Sequence, residues 1–419
     1  MAARSATVTT PARGDGRVHW LDGVRGVAAT FVVIHHIWLT AWPSVRPINP
    51  GPWWLGWLLY GHMAVATFIV VSGFSLALAP MRDGGTLSGG VKRFLRRRAW
   101  RILPAYWAAL ILSIIIMAVF LQPTLGPGAI GRATAVYGLL LQDAVGSANP
   151  NGALWSIAVE WQIYFVFPLI LLVGRRTSIV TAVSLTAVAV LVAHALVGLG
   201  GPFDHITGLT PQFLALFALG VLAVWLGRNG RLETMRRPLA ATAVLTLGVF
   251  VVLAALQGSV WMVTHFFWID LLFGTGIASL LTLIYAGGFG AARRVLASRA
   301  LMFLGLFSYS IYLVHDPIVG MLSKYVFAPL NVSPLATFAL TLTLGLPAVL
   351  AFCYGFHLFF EAPFLRNRHL SAVKTMPIVQ QLLERREQRR ARRVAPPEEL
   401  AGAAMVAARK PATGEQAAG

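Results

Sequence analysis

Ten apolar runs, each about as long as a bilayer is thick, decide what this chain can fold into. They fall at roughly 24–42, 56–79, 102–121, 153–173, 177–199, 211–227, 239–257, 263–286, 301–320 and 334–360. A helix crosses the hydrocarbon core with about 20 residues, and it satisfies every backbone N–H and C=O within its own segment. The runs are continuous rather than alternating, which argues against a β-barrel. Only 12% of the 419 residues are charged, against roughly 25% in a soluble domain. These features predict an all-α, polytopic helical membrane protein with about ten transmembrane helices.

The charges that remain are placed asymmetrically. One set of connections carries Arg82, the cluster from Lys92 to Arg101, Arg175 and Arg176, Arg228 to Arg237, Arg293 to Arg299, and a basic C-terminal tail. The opposite set holds only Arg46, Arg132 and Lys324. Lys and Arg accumulate on the cytoplasmic side, so both termini are expected in the cytoplasm of a cell (inner) membrane. The net charge of +19 is then a topology signal with anionic lipid as its neighbour, and not the mark of a nucleic-acid partner. Cys353 is the one cysteine, which excludes an intramolecular disulfide and a thiolate metal cluster; no metal site is expected.

Three parts follow: a polar tail at 1–19, a membrane domain at 20–369, and a basic, partly disordered tail at 370–419. The first run lacks a convincing cleavage site, so no signal peptide is expected. The stretch 128–142 is apolar but too short to cross and reads as an interfacial or re-entrant helix. Residues 377–394 combine Leu382 and Leu383 with six arginines and read as a helix on the cytoplasmic membrane surface.

Ionisable groups inside membrane helices are costly and face a protein interior or a wet cavity, so each is a functional candidate. In the first run Arg25 and His36 are eleven residues apart, which places them within about 20° of one another around a helix and about 16 Å apart along it. They share a stripe but do not touch. His36 lies too deep to reach the surface and suits a general base; His35 falls off the stripe. Glu160 and Tyr164 stand one turn apart in the fourth run, with Ser156 one turn above. In the ninth run Tyr309, Tyr312 and Asp316 share a face. His315 and Asp316 are expected close to the outer surface, where a solvated structural role competes with a functional one. Arg98 and Arg101, at i and i+3, open a helix and suit bidentate contacts to phosphates, such as those of coenzyme A.

Taken in order, these residues resemble the acyltransferase-3 group of integral membrane acyltransferases. The match comprises Arg25 and His36, Ser72-Gly73-Phe74, Arg98 and Arg101 before Pro104 and Tyr106, and Trp155-Ser156 with Glu160, Tyr164 and Pro168. It closes with the stretch Ser308 to Pro317 and with Glu361-Ala362-Pro363-Phe364. The resemblance implies transfer of an acyl group, acetyl being the expected one, from acyl-CoA to a hydroxyl of an envelope glycan or other sugar. Acyl-CoA is then a donor substrate, with no permanently bound cofactor. His36, Glu160 and Arg25 are the expected catalytic residues: His36 as base, Glu160 orienting His36 or an intermediate, and Arg25 stabilising charge or binding donor. Arg98 and Arg101 would hold coenzyme A, and Trp155, Tyr164, Tyr309, Tyr312 and His315 would contact substrate. If the helices pack together, His36, Glu160 and His315 are expected to converge in the outer half. A direct attack and an acyl-histidine route both stay open.

Two departures stand out. Ala66 occupies a second-span position that is acidic in many members, which points to a different acceptor pocket. The hydrolase-like domain that some members carry is not expected in a chain of this length, so acceptor delivery is expected to fall to the membrane domain or a partner. Two other readings remain: a secondary metabolite such as a macrolide as acceptor, and a non-enzymatic carrier or flippase using the same buried charges.

Overall fold

A computed structural model describes residues 18–43, 49–199, 201, 208–228, 232–366 and 380. Regular structure among them is helical throughout. The helices that matter here are α1 (Trp20–Ala41), α2 (Gly61–Arg82), α3 (Gly90–Ile116), α4 (Pro127–Gly138), α5 (Trp155–Arg176), α6 (Ile179–Val197), α7 (Gln212–Arg228), α8 (Leu232–Thr264), α9 (Phe266–Tyr285), α10 (Arg299–Leu306), α11 (Ser308–Leu322) and α12 (Leu346–Phe356).

Eight of the described helices are long and apolar enough to cross a membrane, or nine when the bent pair α10–α11 counts as one span. The tenth expected crossing corresponds to α7, an apolar helix of 17 residues at most. The protein is therefore a polytopic helical membrane protein. The short stretch expected near 128–142 forms α4, a single helix of 12 residues that is about 18 Å long and cannot span. The basic stretch 377–394 lies outside the described residues apart from Gln380, as do the first 17 residues.

Burial separates a centre from a rim. In α2 67% of the apolar window is buried, whereas in α8 only 11% is. Lipid tails are as apolar as leucine, so membrane helices associate through close packing at small residues. Gly73 and Gly220 let α2 and α7 touch backbone to backbone: a Cβ on Gly73 would overlap the Phe217 carbonyl, and one on Gly220 the Val70 carbonyl. In the same way Gly23 and Gly26 seat α1 against the Leu296–Leu301 backbone, and Gly305 of α10 seats against the carbonyl of Asp22. These contacts fix the height of Arg25. The chain then breaks by 70° at Phe307, between α10 and α11, and α11 enters the bundle beside α1 and α3.

Candidate active site

Arg25 turns into the bundle. Its Nη1 lies 3.0 Å from Asp22 Oδ1, and its Nη2 donates to Ser75 Oγ at 2.6 Å. The Ser75 contact ties α1 to α2 and makes Arg25 part of an internal surface.

That surface is a cavity of about 200 Å³ between α1, α2, α3, α5 and α11. It extends along α2 from Leu76 to Val65, eleven residues or about 16 Å of helix. Arg25, Arg98 and Arg101 line it, with Glu160 as the single acidic residue among the described residues on its wall. Ser72 donates to Glu160 Oε1 at 2.5 Å, and the Tyr164 hydroxyl donates to the same oxygen at 2.6 Å. Two hydroxyl donors hold this carboxylate in place, which a low-dielectric site requires. Tyr309, also on the wall, donates to the Ile102 carbonyl at 3.1 Å and so joins α11 to α3. Three guanidinium groups against two carboxylates, Glu160 on the wall and Asp22 on Arg25, leave a net positive chamber, suited to an anionic, phosphate-bearing ligand.

At its far end the lining stops at Ser156, Tyr312, Phe68 and Val65. The Ser156 and Tyr312 hydroxyls lie 2.6 Å apart, and Phe68 meets the Tyr312 ring edge-to-face at 5.8 Å. One turn beyond sit the histidines. His36 Nδ1 lies 2.8 Å from Asp316 Oδ1, and Asp316 Oδ2 accepts the Gly152 amide at 2.6 Å. With a carboxylate on Nδ1, the proton belongs there and Nε2 carries the lone pair. His315 is fully buried. Its Nδ1 faces the carbonyls of Ile311 and Tyr312 at 2.9 and 3.0 Å. Carbonyls only accept, so Nδ1 is again the protonated nitrogen. His315 Nε2 has no hydrogen-bond partner among the described residues, and its ring meets His36 edge-to-face at 4.9 Å.

Three expectations are corrected. Glu160 does not orient His36: its hydrogen bonds go to Ser72 and Tyr164, and Asp316 is the carboxylate on His36. The reason is depth, since Glu160 stands one turn nearer the arginines than Ser156 does. His315 and Asp316 are not a solvated pair at the surface; the break at Phe307 carries α11 inward, burying His315 and bringing Asp316 to α1. Trp155 does not line the cavity. It stacks on His62 at 5.7 Å with the rings 4° apart. His35, off the stripe, faces the Leu58 carbonyl with its Nδ1 at 2.8 Å.

Beyond Asp316, sequence reasoning missed a second polar centre. His62 Nε2 lies 2.9 Å from Asp270 Oδ1, and Gln212 donates to Asp270 Oδ2 at 3.1 Å, joining α2, α7 and α9. Both His62 and Asp270 sit inside apolar runs, so the rule that singled out Glu160 would have found them. Glu361 clamps the last helices to α11, accepting from Ser310 at 2.6 Å and lying 2.8 Å from His357 Nδ1. Among the described residues no group of three or more His, Cys, Asp or Glu side chains is arranged to hold a metal.

The acyltransferase-domain family matches residues 18–358. The chain belongs to the acyltransferase-3 family. The matched span takes in every residue of the cavity and of the His36–Asp316 pair. Among relatives of this acyltransferase-3 protein, Acyltransferase MdmB of Streptomyces mycarofaciens is 26% identical over 322 residues, 72% of this chain and 79% of that protein. YrhL of Bacillus subtilis (strain 168) is 26% identical over 323 residues, 71% of this chain and 48% of that protein. The peptidoglycan O-acetyltransferase OatA of Listeria monocytogenes is 26% identical over 167 residues, 36% of this chain and 24% of that protein. The chain thus spans about half the length of YrhL. No solved structure matches it.

Proposed function

We propose that this protein is a membrane O-acyltransferase that moves an acetyl group from acetyl-CoA to a hydroxyl of an envelope glycan. The observation that carries the reading is a chamber with three arginines that ends at Ser156 and Tyr312, one turn before His315, whose ring meets the carboxylate-held His36. Both termini lie in the cytoplasm in this reading, which places Arg98 and Arg101 on the side where acyl-CoA is made. Their planar forks bind the phosphates, and the pantetheine arm runs along the roughly 16 Å of chamber toward Tyr312. His36, its Nδ1 proton directed at Asp316, takes the proton of the acceptor hydroxyl at Nε2 as general base. The oxygen then bonds to the acyl carbon and coenzyme A leaves as the thiol. Arg25, which lines the chamber, stabilises negative charge there. The glycan acceptor is suggested by the name of OatA and by the resemblance described above.

The test is mass spectrometry of envelope glycans and extractable metabolites from cells carrying the wild-type, His36→Ala or Glu160→Ala protein at matched abundance. An O-acetyl group present with the wild type and lost with His36→Ala is the expected result. Survival of that group at full level in His36→Ala cells would overturn the catalytic assignment.

A further inference from the structure

Between the end of the chamber and the base stands one group that general-base catalysis leaves unused. His315 is fully buried, its Nδ1 proton is committed to two backbone carbonyls, and its Nε2 lone pair has no partner among the described residues. An unsatisfied nitrogen in an apolar interior is costly to keep. The atom is also well placed. His315 lies one turn past Tyr312, the last α11 residue on the chamber wall, with the two rings 6.0 Å apart. On its other side the His36 ring is 4.9 Å away. A neutral imidazole with a fixed tautomer and a bare lone pair is an activated nucleophile, shielded here from the water that would hydrolyse its product.

We infer that His315 carries the acyl group between donor and acceptor as an acyl-histidine intermediate. The proposal rests on the acyl-CoA reading above and adds a covalent step to it. His315 Nε2 bonds to the thioester carbonyl carbon, the carbon–sulfur bond breaks, and coenzyme A departs as thiolate. The acyl-imidazolium keeps its Nδ1 proton on the Ile311 and Tyr312 carbonyls. The acceptor hydroxyl then gives its proton to His36 Nε2, its oxygen bonds to the acyl carbon, and the carbon–nitrogen bond breaks, returning the electron pair to His315 Nε2. The proton on His36 passes through solvent to the thiolate, so the sum is acyl-CoA plus alcohol giving ester plus coenzyme A. Tyr312 stands between chamber and His315, so the step requires its hydrogen bond to Ser156 to open.

An acyl-enzyme has a signature that needs no knowledge of the acceptor: exchange of isotopically labelled coenzyme A into acetyl-CoA with acceptor absent. Full-length protein in lipid nanodiscs should catalyse that exchange. His315→Asn keeps an N–H near the position of Nδ1 and removes Nε2; it should lower exchange by about 100-fold or more, the loss seen when a nucleophile is deleted. His36→Gln should retain exchange while losing net O-acetylation in cells, because its step comes second. His315→Gln, which places an amide near Nε2 instead, should fail like His315→Asn, and thermal midpoints in the nanodisc check that each variant is folded. Wild-type protein that acetylates its acceptor in cells but shows no exchange, or His315→Asn that exchanges normally, overturns the acyl-histidine and leaves the acyl-CoA reading standing. Wild-type protein with neither exchange nor acetyl-CoA-dependent O-acetylation overturns both.

Discussion

Replacing Asp316 by Asn tests the central pair of the site with almost no change of shape. The carboxylate has two oxygens and two N–H groups aimed at it: His36 Nδ1 at 2.8 Å and the Gly152 amide at 2.6 Å. Asparagine offers one oxygen and one NH₂. If its oxygen faces Gly152, the NH₂ confronts His36 Nδ1, and the imidazole must move its proton to Nε2, the nitrogen that has to act as base. If the oxygen faces His36, the Gly152 amide meets a donor and loses its partner. The first arrangement keeps both hydrogen bonds but protonates the base; returning Nε2 to its basic form requires the second, which forfeits one hydrogen bond, worth about 1.5–3 kcal/mol, and tenfold in rate corresponds to about 1.4 kcal/mol. The expected loss in net O-acetyl transfer is therefore about 10- to 100-fold, with a larger loss if the wrong tautomer dominates. The assay is the rate of O-acetyl appearance in cells, normalised to protein abundance and checked against a thermal midpoint in nanodiscs. Asp316→Asn at matched abundance with transfer within twofold of wild type would refute the claim that Asp316 sets the tautomer of His36.

Other consequences concern donor, packing and pH. Arg98→Ala and Arg101→Ala should each raise KM for acetyl-CoA by about tenfold or more with a smaller change in kcat, since a charge-assisted contact to phosphate is worth about 1.5–3 kcal/mol; steady-state thioester kinetics read the split. Gly73→Ala drives a methyl into the Phe217 backbone and should cost about 1–3 kcal/mol as overpacking, seen as a lowered thermal midpoint, whereas Gly248→Ala on the rim, with nothing within 4 Å, should not lower it. Asp143, in the connection between α4 and α5, has its carboxyl pushed above the usual range by burial, against a hydrogen bond from Gln162 at 2.7 Å. A raised folded-state value means that the unfolded chain ionises first as pH rises, so this group destabilises the fold above its folded value and has no effect well below about pH 4. Asp143→Asn should thus raise the thermal midpoint at neutral pH, with the gain fading as pH falls to about 4.

Much of this was legible in local periodicity. Run length gives the crossings, and eleven residues of spacing put Arg25 and His36 on one stripe; in the structure they have separate partners, Asp22 and Ser75 for Arg25 and Asp316 for His36. What failed was anything that depends on how helices pair across long separations. Asp316 is 280 residues from His36, and no periodicity within either run says which neighbour faces which. Glu160 and His36 are both ionisable groups in apolar runs, which suggests that Glu160 orients His36 or an intermediate, yet the carboxylate on His36 is Asp316 and Glu160 bonds to Ser72 and Tyr164. The break at Phe307 has no proline at the joint, and Gly305 two residues earlier reads equally as a packing glycine; without the break, a solvated role for His315 competes evenly with a functional one. His62 and Asp270 were passed over because each is a single polar group in an apolar run, although that is the very circumstance in which such a group needs a partner.

The lone pair on His315 Nε2 has a consequence for the cell's energy supply. A file of polar groups that runs from Arg98 and Arg101 past Glu160 to His36 is, in electrical terms, a wire laid through an insulator. Each proton leaking along it would dissipate about 2.3 kcal/mol per 100 mV of membrane potential. The Ser156 and Tyr312 hydroxyls at 2.6 Å can themselves relay a proton, so the break in the wire lies beyond them, at His315 Nε2, which has no hydrogen-bond partner among the described residues. That one unmade hydrogen bond is the insulation a polar file through a membrane needs.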